Sequence, residues 1–301
     1  MGNTAGPAGH GDPQTAVKPS GAEPGQEPDS KRRPESHGIS QMPGAEPCPD
    51  DQIDLRDYID GLFHGNTAHL GEQFSIAPGS DNGRSCSDLT DPAGLKQLLD
   101  FYAETGFPGD DARSCVSYWS QWYFGLLLPP LILLAGAAGS KVPASLANLR
   151  VVLDASGQPQ RFELTDPNAE PALNTDTPFD RLAPLIDGHL SPLVFSLSAR
   201  SGVSAKVFWM NAAVVIDYTH EVLWSGNQDI DLKAITGNPK KPDGNRNPLF
   251  SPYRPSGSEA TRTRRVCCLR YGLEGVARCQ DCSLKPTYGN DRRPLVLGAS
   301  K

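Results

Sequence analysis

The sequence predicts an α+β fold, mainly helical, with a small β-hairpin or sheet and a C-terminal module built on cysteines. Three observations predict it. Apolar residues recur at helical spacing over much of the span from residue 90 to residue 224. Two short apolar runs flank a Ser-Gly turn. Four of the seven cysteines fall within the last 35 residues. At 301 residues, 38% apolar and 21% charged, the chain has enough material for one or two domains with a real core. Its net charge of −7 argues against non-specific nucleic-acid binding by the whole chain.

Residues 1–50 read as a disordered tail. They hold eight Gly and nine Pro, with only Val17 and Ile39 as branched aliphatics. Such a segment buries too little apolar surface to offset the entropy of ordering it. It has no apolar stretch of the kind a secretory signal needs. Residues 51–258 are expected to form the main domain, and residues 259–301 the C-terminal module.

Thr90-Asp91-Pro92 reads as a helix start, a capping side chain followed by proline in the first turn. Leu95, Leu98, Leu99 and Tyr102 follow at helical spacing, and Gly106 with Pro108 ends the run. Asp110 or Asp111 caps the next helix, which carries Cys115, Tyr118, Trp119 and Trp122 as a core stripe. The apolar run from Trp122 to Ala138 is broken by Pro129 and Pro130. It falls short of the roughly 20 residues a spanning helix needs. Two short buried helices joined at the prolines are expected, and with them a cytoplasmic protein.

Val151-Val152-Leu153 and Phe162-Glu163-Leu164 flank Ser156-Gly157 and predict a hairpin. Thr177-Pro178 opens another helix, which continues through Leu182, Leu185, Ile186 and Leu193 with a kink at Pro192. The stretch Ser204 to Trp224 is apolar enough to be buried. Gly237 to Ser258, rich in Pro, Gly and Asn, reads as a loop.

The C-terminal cysteines follow the pattern C-C-x10-C-x2-C: Cys267, Cys268, Cys279 and Cys282. Without an export signal, clustered cysteines read as metal ligands before disulfides. Zinc modules usually pair one C-x2-C with another or with two histidines. Here the other half is two adjacent cysteines, whose side chains diverge in an extended strand. Both face one centre only if the backbone bends. A two-iron cluster, with its ligands spread over two metals, relaxes that demand. Spacing alone leaves iron–sulfur, zinc and disulfides open, in that order. Cys48, Cys86 and Cys115 lie outside the pattern: Cys115 reads as a small buried core residue, and Cys48 and Cys86, in loop-like sequence, as free thiols.

The run Cys267-Cys268-Leu269-Arg270-Tyr271, followed by Cys279 and Cys282, resembles the C-terminal signature of the FhuF-type ferric-siderophore reductases. Adjacent ligating cysteines are rare, so the motif is specific. Upstream, Lys206 to Ala212, with its Trp209-Met210-Asn211, is similar to a Trp-x-Asn helix of that family, and Trp119 to Leu134 to its apolar middle. The resemblance implies a [2Fe–2S] cluster whose cofactor-binding and metal-ligating residues are Cys267, Cys268, Cys279 and Cys282. It implies an enzyme that reduces a ferric siderophore, of hydroxamate type, by one electron and releases Fe(II) in the cytoplasm. Fe(III) prefers hard oxygen donors far more than Fe(II) does, so one electron loosens the metal. Plant-type Cys-ligated [2Fe–2S] centres lie near about −400 mV, which suits that reduction.

No phosphate loop, G-x-G-x-x-G or nucleophile elbow is present. Electrons therefore have to come from an external donor protein, and a peripheral contact with the inner membrane stays open. The alternatives are a zinc-organised protein-interaction module and an electron-transfer protein with another acceptor. From Arg262 to Arg293 eight basic residues face three acidic ones, +5 within a chain of −7. Arg265 and Arg270 are expected to compensate the thiolates, and Arg264 to sit on a face that docks an acidic donor or an anionic ferric complex. His64, His69 and His220 show no ligand spacing and read as structural.

Overall fold

The computed structural model describes residues 52–77, 83–223, 230–254 and 262–284. The expected tail, residues 1–50, and Cys48 lie outside them. Chain order begins with β1 (Ile53–Asp54), α1 (Arg56–Leu62), α2 (Ala68–Gln73), β2 (Phe74–Ile76) and β3 (Arg84–Ser85). Next come α3 (Pro92–Gly106), α4 (Ala112–Ala137), β4 (Ser140–Lys141), β5 (Leu149–Leu153), β6 (Pro159–Leu164) and β7 (Asn168–Pro171). After them follow α5 (Pro178–Arg181), α6 (Ala183–Leu185), α7 (Ser191–Ser201), α8 (Ala205–Tyr218), α9 (Leu232–Gly237), β8 (Tyr253–Arg254) and β9 (Thr263–Arg264). Helices dominate and the sheets are small, the α+β class that the sequence predicts.

Helix α3 starts where its signal stands. The Asp91 carboxylate accepts from the Gly94 N–H at 2.7 Å, and Pro92 occupies the first turn. Asp111 caps α4 in the same way, accepting from Arg113 N–H at 3.2 Å. Beyond that point the structure corrects the sequence reading. Residues 112–137 form one helix, with Pro129 and Pro130 inside it, and not two helices joined at the prolines. Each proline removes a backbone hydrogen bond and crowds the preceding turn, at about 3 kcal/mol or more. Leu126, Leu127, Leu128, Leu131, Ile132, Leu133 and Leu134 are all buried around them. Burying such a side chain contributes about 1.5–3 kcal/mol, so the surrounding packing outweighs the local penalty. The helix is long and apolar enough to cross a membrane by length and composition, and 83% of its apolar window is buried inside the fold.

Helix α4 packs against α8, α3, α1 and α7, and against strand β6. Trp119 is fully buried and donates its indole N–H to the Gly157 carbonyl at 3.0 Å. That bond ties α4 to the β5–β6 turn, where Gly157 takes a positive φ of 84°. The expected hairpin is present, and β2 and β3 extend it to a four-stranded sheet in the order β2-β6-β5-β3. Strands β2 and β6 run parallel and the other pairs antiparallel. A second sheet has the order β1-β7-β4, and β8 pairs with β9.

Thr177 does open a helix, through a reciprocal capping box with Asp180. The helix expected from there to Leu193 forms with one irregularity, at Leu182 between α5 and α6. From Ala183 the helix continues to Ser201: α6 passes through a π-helical turn at Ile186–Leu190 directly into α7, and Leu185, Ile186, Leu190 and Ser191 all keep right-handed helical backbone. Pro192 sits where the π-helical turn meets α7, so its missing N–H coincides with a local change in the hydrogen-bond pattern inside the helix. The apolar stretch after Ser204 is α8, extended by a π-helical turn at Thr219–Leu223. Residues 238–252 carry no helix or strand, as expected, and β8 follows them.

Candidate metal centre

Four contacts shape the C-terminal segment around its cysteines. The Arg264 N–H donates to the Asp281 carbonyl at 2.8 Å, and the Arg265 N–H to the Pro252 carbonyl at 2.8 Å. These bonds send Cys267 and Cys268 inward from the end of β9. Leu269 then takes a left-handed φ of 63° and turns the backbone into a 3-10 turn at Arg270–Gly272. This is the bend that two adjacent cysteines need to face one region. A Cβ on Gly272 would fall on the Ser114 hydroxyl and 3.2 Å from its Cβ, so only glycine allows this close approach to α4. Further on, the Cys282 N–H donates to the Cys279 carbonyl at 3.2 Å and closes the C-x2-C turn.

The structure brings the sulfurs of both half-motifs together. Cys268, Cys279 and Cys282 form one buried cluster. Cys267 lies at its rim, half-buried and within electrostatic reach of Cys268 and Cys282. The Cys268 and Cys279 Sγ atoms stand 3.6 Å apart. Two thiolates on one tetrahedral ion, with metal–sulfur bonds of about 2.3 Å, stand about 3.8 Å apart. Among the described residues, no group of three or more His, Cys, Asp or Glu side chains is arranged to hold a metal ion.

The surroundings suit thiolates. Backbone N–H groups point at the sulfurs, Leu269 to Cys267 and Leu284 to Cys282, each at 3.4 Å. The Cys268 thiol is pulled down to about 6, by its hydrogen bond with Cys279 and by the Arg264 charge, against the opposing effect of burial. Cys279, the other partner of that contact, is pushed up by it and by burial. Charge-assisted N–H donors and fixed cations favour the thiolate, so the donor set fits a thiolate-ligated metal group.

Two arginines take part, and one of them is not the arginine expected. Arg264 is 2% exposed and Arg270 1%. Arg264 Nε donates to the Asp281 carboxylate at 2.9 Å. Burial alone would lower its pKa, but Asp281 and the Cys268 and Cys279 sulfurs hold it raised. Arg270 Nε donates to Gln121 Oε1 at 2.7 Å, and its guanidinium lies 5.2 Å from the Tyr118 ring centre. The placement of Arg264 on an outer docking face is therefore corrected. Arg265, expected beside the thiolates, instead faces Phe250 and donates to the Ser251 hydroxyl at 2.7 Å. Alternation along the strand decides this, because neighbours in an extended segment point opposite ways. Arg262 is also engaged, with Asp217 at 3.1 Å and with Glu221. Arg278 is exposed, while Lys285, Arg292 and Arg293 lie outside the described residues.

The sequence reading missed the support beneath the site. The Ser117 hydroxyl donates to the Cys268 carbonyl at 2.8 Å, and Gln121 Nε2 to the same oxygen at 3.3 Å. Asn211 on α8 reaches the Ser117 and Ser120 hydroxyls at 3.3 and 3.1 Å. A signal was available: Ser114, Ser117 and Gln121 form a polar stripe at helical spacing on an otherwise apolar helix. Cys86 and Cys115 are buried in the core, away from the sulfur cluster. Burial pushes the Cys86 thiol up to about 12 and that of Cys115 up to about 11. His189, not singled out before, is fully buried, its Nε2 2.8 Å from the Tyr123 hydroxyl.

Residues 117–265 match the sequence profile of the family described as "Ferric iron reductase FhuF-like transporter". The match runs from α4 into β9 and ends before Cys267. The chain is also 26% identical over 220 residues to the ferric siderophore reductase of Escherichia coli (strain K12), an alignment covering 69% of this chain and 82% of that protein. Residues 117–265, which carry Ser117, Gln121 and the Trp-x-Asn helix, are thus similar to the FhuF-like ferric iron reductase family.

Proposed function

We propose that this protein is a ferric-siderophore reductase. In this reading, Cys267, Cys268, Cys279 and Cys282 hold a [2Fe–2S] cluster, and single electrons pass from it to Fe(III)-siderophore, releasing Fe(II) in the cytoplasm. The observation that supports the reading is the buried cluster of Cys268, Cys279 and Cys282, with Cys267 at its rim, beside α4 of a ferric iron reductase core. When bound, the cluster supplies one electron at low potential. Ser117 and Gln121 fix the Cys268 carbonyl, and with it the direction of the adjacent cysteine pair. Burial of Cys268, Cys279 and Cys282 keeps water from three of the sulfurs, and half-buried Cys267 leaves an edge for electron entry and exit. The donor is an external protein, and the substrate is a hydroxamate-type ferric complex.

The test is stopped-flow reoxidation of protein reduced anaerobically with dithionite. Reoxidation by a ferric hydroxamate, with the product trapped by a ferrous chelator, is expected to be much faster than in buffer. Equal rates with hydroxamate, catecholate and buffer would remove the reductase assignment and leave an electron carrier with another acceptor. Stoichiometric zinc without acid-labile sulfide would favour the interaction module.

A further inference from the structure

We propose that Arg264 and Arg270 set the redox poise of the sulfur site, and that Asp281 moderates Arg264. This rests on the [2Fe–2S] reading above. Both guanidinium groups lie within electrostatic reach of Cys268. Arg264 comes from β9, pairs with the Asp281 carboxylate at 2.9 Å and lies within electrostatic reach of the Cys268 and Cys279 sulfurs. Arg270 comes from the 3-10 turn, where its backbone N–H also serves Cys268. Both are buried to within 2% of complete, and a buried charge is little screened by salt or water. Arginine keeps its proton throughout the accessible pH range, so both charges are fixed.

Two ferric ions, two sulfides and four thiolates leave a centre that is already negative, and one added electron makes it more so. A fixed cation stabilises the reduced form more than the oxidised form and raises the potential. A carboxylate does the reverse. Asp281 sits inside the Cys279–Cys282 turn, bound to Arg264 through both its carbonyl and its carboxylate. Neutralising Asp281 and neutralising either arginine therefore push the potential in opposite directions. A merely structural role for the three residues gives no reason for opposite signs.

The experiment is an equilibrium redox titration of the full chain with dithionite and mediators, followed by absorbance. The electron comes from dithionite and resides on iron, and no bond changes at the arginines. Iron and labile sulfide are measured first. Arg264→Gln and Arg270→Gln should each shift the one-electron reduction equilibrium at least tenfold towards the oxidised form, a fall of about 59 mV. Asp281→Asn, which keeps the shape and an acceptor oxygen, should shift it at least threefold towards the reduced form. Arg264→Lys and Arg270→Lys, which keep the charge, should stay within threefold of the parent protein. If a Gln variant loses its iron, the Lys variants and Asp281→Asn decide. A tenfold shift in either Lys variant, Asp281→Asn moving towards the oxidised form, or all variants within twofold with full cluster content overturns the assignment. Zinc without sulfide in the parent protein overturns the cluster reading itself, and is seen before any potential is measured.

Discussion

Helix α4 and the segment from Arg262 to Leu284 are of similar length, 26 and 23 residues, and are held in different ways. Helix α4 buries apolar side chains on nearly every face, with 21 of its 26 residues buried. It keeps its form even through two prolines. The cysteine segment has a two-residue strand, one 3-10 turn and few buried aliphatics. It is fixed by hydrogen bonds, by buried arginines and by the sulfurs. Apolar burial is summed over many atoms and tolerates a local fault. A polar site depends on a few directional contacts, each costly to remove. The two regions should therefore fail differently.

The largest expected effect falls on the sulfurs. Cys267→Ser, Cys268→Ser, Cys279→Ser or Cys282→Ser should each abolish or severely reduce bound iron and labile sulfide. Cys86→Ala and Cys115→Ala should retain the metal in full and lose stability by about 1–2 kcal/mol. Elemental analysis together with urea unfolding separates the two groups. Metal loss on replacing Cys86 or Cys115 would break the distinction between core and site thiols.

Trp119→Ala should cost about 3–5 kcal/mol of unfolding free energy, since it empties a fully buried site and strands the Gly157 carbonyl. Iron content per folded molecule should hardly change. Gln121→Ala should do the converse, costing only about 1–3 kcal/mol while making the metal easier to remove with a chelator. Equal chelator sensitivity in the two variants would show that core and site are not separately held.

The pH profile sharpens the comparison from the side of the core. Burial lowers the His189 pKa from 6.5 to about 3, so the folded protein keeps this histidine neutral. The unfolded chain protonates it below about 6.5, near the ordinary histidine value. Its contribution is complete above that pH and is lost as the pH falls towards 3, at up to about 1.4 kcal/mol per pH unit. Urea unfolding from pH 7 to pH 5 should show a steeper loss in the parent protein than in His189→Gln. The smallest effect belongs to the exposed pair of Lys96 and Asp100 on α3. Lys96→Ala should change stability by at most about 0.5 kcal/mol, and a larger value would mean that this surface is not as free as its exposure indicates.

Signals confined to a few neighbouring residues were legible in advance. The caps at Asp91, Asp111 and Thr177, the hairpin about Gly157 and the buried run after Ser204 stand where their sequence places them. The reason is that a cap or a tight turn is satisfied by atoms within a few residues of it. The four-cysteine pattern likewise pointed to the segment in which the structure gathers the sulfurs. Only the tertiary structure decided the rest. The prolines of α4 are tolerated because the helix around them is buried against other elements of the fold. Arg264, not Arg265, turns inward because β8 and the Asp281 carbonyl fix the register of β9. The support from Ser117, Gln121 and Asn211 spans more than 90 residues of sequence. Local propensity carries no information about such partners, because the energy that selects them exists only once separate segments are brought into contact.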